Sequence, residues 1–256
     1  MRYWLVMPAA GVGRRFGHTM PKQYAPLQGR TVIEWALAPF LADPQCAGAS
    51  ISLASDDPYW GEVAARLAQF PGRTAEIIVA AGGAERSQSV RKGLEALVGR
   101  ATPDDWVLVH DAARPCLSAH DLRQLLERLG SHRVGGILAT PAADTLKRAS
   151  ADPRGGIVPA ATPAQPGPEI DQTVDRAGLW RALTPQMFRY KLLSDALDLA
   201  LATGRLPTDE AQALEWTGAH PVLVQGSAAN IKITSADDLV LAAALLNARE
   251  HATSAR

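Results

Sequence analysis

The chain has 256 residues, of which 47% are apolar and 20% charged, with 26 basic and 26 acidic side chains. That length and apolar content suit a globular protein with a substantial core, and a net charge of zero excludes the basic excess of a nonspecific nucleic-acid binder. The two cysteines, Cys46 and Cys116, form neither a CxxC pair nor a metal-like cluster. With no signal-peptide pattern and no apolar run of membrane-spanning length, the expected location is the cytoplasm, away from any membrane.

Strand-like and helix-like segments alternate through the first two-thirds. Tyr3–Met7 reads as a buried strand, and Thr31–Leu41 as a helix that Pro39 should bend or end. Ala49–Leu53 is a second strand, and Pro58–Gln69 a helix with Pro58 at its first position. Strand Glu76–Ala80, helix Gln88–Leu97 and strand Trp106–Val109 follow. Ser118–Leu129 is the cleanest helix, with leucines at helical spacing and Ser118 placed to cap the first turn. A fifth strand falls at Gly136–Ala139. Residues 140–176 break the alternation with a Pro-, Gly- and Ala-rich stretch. It is read either as a linker or as an extended arm whose antiparallel strands are Asp144–Arg148 and Thr173–Arg176. Helices are expected over Lys191–Ala202, Asp209–Thr217 and Ser235–Ala248, with short strands at Val222–Val224 and Ile231–Ile233. The pattern predicts one α/β domain, Rossmann-like, with a mainly parallel twisted sheet, helices on both faces and a protruding β-arm.

Ligands of such sheets bind beyond the carboxyl ends of the strands. Three loops should meet there: PAAGVGRRFGHTMPK (Pro8–Lys22), the segment around Gly82-Gly83, and HDAARP (His110–Pro115). In the first loop Gly11 and Gly13 match half of a dinucleotide fingerprint, but Phe16 stands where the third glycine belongs. No GK[ST] is present for a Walker A loop. Small residues together with Arg14, Arg15 and Lys22 suit a highly charged anion such as a nucleoside triphosphate.

Several motifs in register then carry a resemblance. Pro8-Ala-Ala-Gly-x-Gly-x-Arg with Pro21-Lys22-Gln23-Tyr24, Gly82-Gly83-x-x-Arg86-x-x-Ser89, Val109–Pro115, Asp144-Thr145, Thr173–Arg176, Leu183–Gln186, Thr208-Asp209-Glu210 and Asn230-Ile231-Lys232 resemble the 2-C-methyl-D-erythritol 4-phosphate cytidylyltransferase family. The resemblance runs from Pro8 to about Leu245. It implies transfer of the cytidylyl group of CTP to methylerythritol phosphate with release of pyrophosphate, a step of non-mevalonate isoprenoid synthesis. It also implies a divalent cation, usually magnesium, and a homodimer formed through the arm.

By the same resemblance Arg15, Lys22 and Lys232 are catalytic. The nucleotide is bound by Ala10, Gly11, Gly13, Gly83, Arg86, Ser89 and Asp111. The polyol phosphate is bound by Arg114, Thr184 and Thr208, with Thr145 and Arg176 offered from the arm to the partner subunit. Asp111 is the candidate metal ligand, the ion being held mainly by the CTP phosphates. Arg14 receives no role, and the histidines at 18, 120, 132, 220 and 251 read as scattered surface residues. Segment Ala149–Gln172 is longer and richer in proline than the family pattern. Ribitol 5-phosphate as acceptor, UTP or GTP as donor, and a non-catalytic nucleotide-binding protein are the competing functions.

Overall fold

The structure is a computed structural model, and it describes residues 1–11, 20–70, 75–150 and 168–254. The chain divides into two compact units, Thr140–Arg181 and the remainder on either side of it.

The larger unit is built on a seven-stranded sheet. Its strands are β1 (Tyr3–Pro8), β4 (Cys46–Leu53), β5 (Glu76–Ala81), β6 (Trp106–Val109), β7 (Gly135–Pro141), β10 (Trp180–Arg189) and β11 (Val222–Gln225), in the order β11-β7-β10-β6-β1-β4-β5, while the two-residue strands β2 (Pro26–Leu27) and β3 (Arg30–Thr31) pair only with each other. Alternation sends successive side chains to opposite faces, and both faces are apolar. Tyr3, Leu5 and Met7 of β1 join one core cluster with Trp106 and Leu108 of β6. Trp4 and Val6 join a second cluster with Val107 and Val109. Helices α1 (Val32–Leu41) and α4 (Ala119–Leu129) cover the first face through Ile33, Leu37, Phe40, Leu122, Leu125 and Leu129. Helices α3 (Arg86–Glu95), α5 (Tyr190–Ala202) and α6 (Glu210–Glu215) contribute Val90, Leu94, Leu193, Leu197 and Leu214 to the second. Each such leucine removed from water contributes roughly 1.5–3 kcal/mol. A third cluster joins Ala242 and Leu246 of α7 (Ala236–Ser254) to Leu27, Val32 and Ile233.

Several expectations need correction. Helix α2 runs over Trp60–Ala68, so Pro58 lies outside it. Asp57 Oδ1 accepts the N–H groups of Tyr59 and Trp60 and starts the turn instead. Ile231–Ile233 is not a strand, because its backbone bonds go to loops: Ile233 N–H donates to Ala113 O at 2.8 Å. His132 is more than a surface residue, since its Nδ1 accepts the N–H groups of Val134 and Gly135 at the entry to β7. No strand is expected from the sequence at β10, yet it lies inside the sheet, antiparallel to β6 from Gln186↔Val109 to Arg189↔Trp106. Pro185, which has no N–H to give, stands just outside that paired register.

In the smaller unit β8 (Leu146–Ala149) and β9 (Ile170–Val174) pair antiparallel. The ladder is shifted from the expected segments. Its ends pair apolar residues, Leu146 with Val174 and Ala149 with Ile170, which leaves Asp144, Thr145, Asp175 and Arg176 outside. Asp175 Oδ1 instead accepts the N–H of Ala177 in the following turn. Most of the long proline-rich segment lies outside the described residues.

Candidate active site

Loops leaving the carboxyl ends of β1, β5 and β6 line one cleft of about 520 Å3. Lining residues include Ala10, Gly11, Lys22, Gly83, Arg86, Ser89, Asp111 and Lys232. The strands bring their loops close enough that backbone replaces side chain: a Cβ at Gly82 would lie 2.2 Å from Ala10 Cβ and 2.9 Å from Leu53 O. The Gln23 amide ties the first loop down, donating to Ala9 O at 2.8 Å and Gly11 O at 3.2 Å. Ser89 Oγ accepts the Gly83 N–H at 3.0 Å, so this hydroxyl shapes the loop ahead of α3. Lys22 Nζ donates to Ile233 O at 2.9 Å.

At the centre is Asp111, buried. Its Oδ1 accepts from Arg86 Nε at 3.0 Å and its Oδ2 from Lys232 Nζ at 2.8 Å, with Arg114 Nε 3.6 Å from Oδ2. Burial opposes ionisation of this carboxyl, but Arg86, Lys232 and Arg114 overcome it and hold Asp111 well below the usual carboxylate range. Arg86 also forks onto Glu210, Nη1 to Oε1 at 2.6 Å and Nη2 to Oε2 at 3.1 Å. Burial pushes the Glu210 carboxyl up, against the pull of Arg86. Three cations thus surround two carboxylates. The larger cleft itself is lined by Lys22, Arg86 and Lys232 against Glu85 and Asp111, a net positive lining that suits an anion.

A second cleft of about 240 Å3 is lined by Arg114, Thr184, Gln186, Thr208 and Asp209, and shares Arg86, Asp111 and Lys232 with the first. Its floor is a buried hydrogen-bond chain. Arg114 O faces His110 Nε2 at 3.1 Å, so that nitrogen carries the proton. Nδ1 then accepts the Thr184 hydroxyl at 3.0 Å, and Thr184 Oγ1 in turn accepts the Asp111 N–H at 3.1 Å. Burial lowers the His110 pKa to about 4, keeping the ring neutral. Arg114 Nη1 donates to Asn230 O at 2.7 Å, and Asn230 Nδ2 donates to Thr184 O at 2.7 Å.

The predicted residues fall into three groups. Ala10, Gly11, Lys22, Gly83, Arg86, Ser89, Asp111 and Lys232 come together at the larger cleft, and Arg114, Thr184 and Thr208 at the smaller. Gly13 and Arg15 lie outside the described residues, as do Arg14 and His18. Thr145 and Arg176 are exposed in the smaller unit, where Arg176 Nη1 donates to Ala143 O. Nothing local in the sequence assigns a role to Glu210, His110 or Asn230. All three sit inside quoted motifs, which was the available signal, but burial and pairing are three-dimensional facts.

A mainly parallel sheet with two adjoining clefts at its carboxyl rim, glycine backbone on one side and excess cations between, defines an enzyme of nucleotidyl transfer. Residues 3–248 match the family model of 2-C-methyl-D-erythritol 4-phosphate cytidylyltransferase. The 2-C-methyl-D-erythritol 4-phosphate cytidylyltransferase of Halorhodospira halophila is 50% identical over 98% of this chain and 97% of its own, and that of Vibrio vulnificus 48% identical over 93% and 91%. A crystal structure of 4-diphosphocytidyl-2C-methyl-D-erythritol synthase superposes with a TM-score of 0.75 at 34% identity, covering 96% of this chain and 99% of that one. The chain belongs to the 2-C-methyl-D-erythritol 4-phosphate cytidylyltransferase family, enzymes that transfer the cytidylyl group of CTP to that polyol phosphate. Among the described residues no helix is long and apolar enough to cross a membrane.

Proposed function

We propose that the larger cleft seats CTP and the smaller one 2-C-methyl-D-erythritol 4-phosphate, so that the two anions meet beside Lys232. The observation that carries this reading is Asp111, placed in both clefts and bonded to Arg86 and Lys232. The nucleophile is a phosphate monoester oxygen, already anionic near neutral pH, so no general base is required. The barrier is electrostatic, and fixed cations lower it most where charge accumulates in the transition state. Lys22 and Lys232 take that role from the cleft, and Arg15 by resemblance. The backbone of Ala10, Gly11 and Gly83 lies against the nucleotide, with Arg86 and Ser89 beside it, and Gly13 joins them by resemblance. Arg114, Thr184 and Thr208 hold the polyol phosphate. Thr145 and Arg176 serve the partner subunit of a homodimer formed through the arm, in keeping with their exposure in the smaller unit.

Family membership implies dependence on a divalent cation. Among the described residues no group of three or more His, Cys, Asp or Glu side chains could hold a metal by itself. Asp111, held ionised in the cleft, would offer a magnesium ion the lone pairs left by Arg86 and Lys232, the other ligands coming from phosphates and water. When bound, the ion would offset phosphate charge.

The test is pyrophosphate release from CTP and magnesium with methylerythritol phosphate, and in parallel with ribitol 5-phosphate. Release with the first acceptor well above the second is expected. A folded sample that releases none, or prefers ribitol 5-phosphate, overturns the reading.

A further inference from the structure

We propose that Glu210 is a positioning residue of the transfer reaction: it holds the Nη1–Nη2 edge of Arg86 and so fixes the plane in which Arg86 presents Nε to Asp111 and its other donors to the cleft. The inference rests on the CTP reading for the larger cleft. Its physical basis is the number and direction of guanidinium donors. Arg offers five N–H groups in one plane. Glu210 takes one from Nη1 and one from Nη2, and Asp111 takes Nε. The two remaining donors belong to a side chain that lines the nucleotide cleft.

Without Glu210 the favoured geometry is different. A guanidinium beside an isolated carboxylate closes on it with two parallel bonds. Arg86 would then cover both oxygens of Asp111 and compete with Lys232, whose Nζ sits on Oδ2 at 2.8 Å. Glu210 leaves the side-edge Nη2 hydrogen untouched, but by holding the outer edge it stops the guanidinium from swinging square onto Asp111. It leaves Oδ1 to Arg86 and Oδ2 to Lys232, and it fixes the plane in which Arg86 faces the cleft.

Glu210 is itself held rigidly. It is 1% exposed. The residue before it, Asp209, accepts from Gln212 N at 2.9 Å and from Gln186 Nε2 at 2.9 Å. The residue after it, Ala211, donates its N–H to Gln186 Oε1 at 2.9 Å. Clamped on both sides to β10, the carboxylate has one direction to point, and Arg86 lies there. Stability alone is a poor account of such a pair: buried ion pairs can often be replaced by apolar side chains of similar volume at no loss. Orientation at the cleft is what an apolar replacement could not supply.

The test is a double-mutant cycle read by calorimetric CTP binding with magnesium and no acceptor. Glu210→Gln keeps the size but offers a single acceptor and a misplaced NH2. It is expected to weaken CTP binding about tenfold in the wild-type background and to have no further effect on Arg86→Gln, because it acts through Arg86. Equal, additive losses in both backgrounds are what a merely structural role predicts, and they overturn the proposal. If Glu210→Gln does not fold, Glu210→Asp keeps the charge but withdraws it by one methylene. An unchanged CTP affinity for that variant is equally fatal. Wild-type protein that binds CTP yet forms no product with methylerythritol phosphate would refute the proposed reaction and leave this cycle intact. A nucleotide-free crystal structure of the variant that folds gives a readout independent of both: Arg86 is expected to turn its fork onto Asp111, and an unmoved guanidinium overturns the idea.

Discussion

The buried His110 should make the protein lose stability in mild acid, and the loss can be assigned to one ring. Its pKa falls from 6.5 to about 4 because burial disfavours the charged form, and no anionic partner faces Nε2 or Nδ1, which meet Arg114 O and Thr184 Oγ1. With the native pKa below the unfolded one, the unfolded chain binds the extra proton between pH 6.5 and 4. Stability therefore rises with pH through this window; it is complete above the unfolded pKa and declines as pH falls toward the native one. Going from pH 7.5 to pH 5, His110 alone should remove about 2 kcal/mol, approaching a full loss of about 3 kcal/mol below pH 4. His110→Gln supplies an acceptor and a donor without titrating. Urea unfolding of both proteins across the window isolates the ring, since the other histidines and carboxylates are common to both. Wild type should lose about 2 kcal/mol more than His110→Gln by pH 5. Parallel pH profiles for the two proteins would refute the reasoning.

Lys232→Ala should cut kcat by roughly a hundredfold, about 3 kcal/mol, while CTP affinity changes much less, because its charge matters most as the transition state forms. Steady-state pyrophosphate release with CTP and acceptor varied separately checks the split, and a loss confined to KM would speak against it. Gly93→Ala should destabilise the fold by about 1–3 kcal/mol through overpacking despite the better helix propensity of alanine. The added Cβ would lie 2.7 Å from Val6 Cγ1 and 3.0 Å from Ser52 Oγ, where α3 meets the sheet. Thermal unfolding measures it, and a raised melting temperature would contradict the packing argument.

What the sequence discloses follows from how local each feature is. The strand Trp106–Val109 is legible to the residue because four consecutive apolar side chains fill both faces. The Ser118 cap is legible because its partner, the Asp121 N–H, is three residues away. Strand β10 is not legible. It carries Thr184, Pro185 and Gln186 at its buried centre, and nothing local shows that β6 waits for it across the sheet. The same division holds at the cleft. Asp111, Arg86 and Lys232 stand out because they lie in short motifs rich in glycine or charge. Glu210 reads locally as an acidic residue in a helix first turn, with no hint that it is buried against an arginine 124 positions earlier. Asn230 and His110 are hidden for the same reason: their partners are chosen by the fold.

The strap from Asn230 to Ile233 has a consequence in time. It receives Arg114 across 116 positions and Lys22 across 211, and it brings Lys232 back to Asp111. During synthesis the chain emerges from its amino end, so β1, β4, β5 and β6 can assemble long before this strap exists. Contacts so distant in sequence are late and slow to form. Until they do, Asp111 lacks the ammonium on Oδ2, and Lys22 lacks the Ile233 carbonyl. The two clefts are thus completed by one of the last segments to arrive, and a nascent chain can hold most of its sheet before Asp111 has its full set of cationic partners.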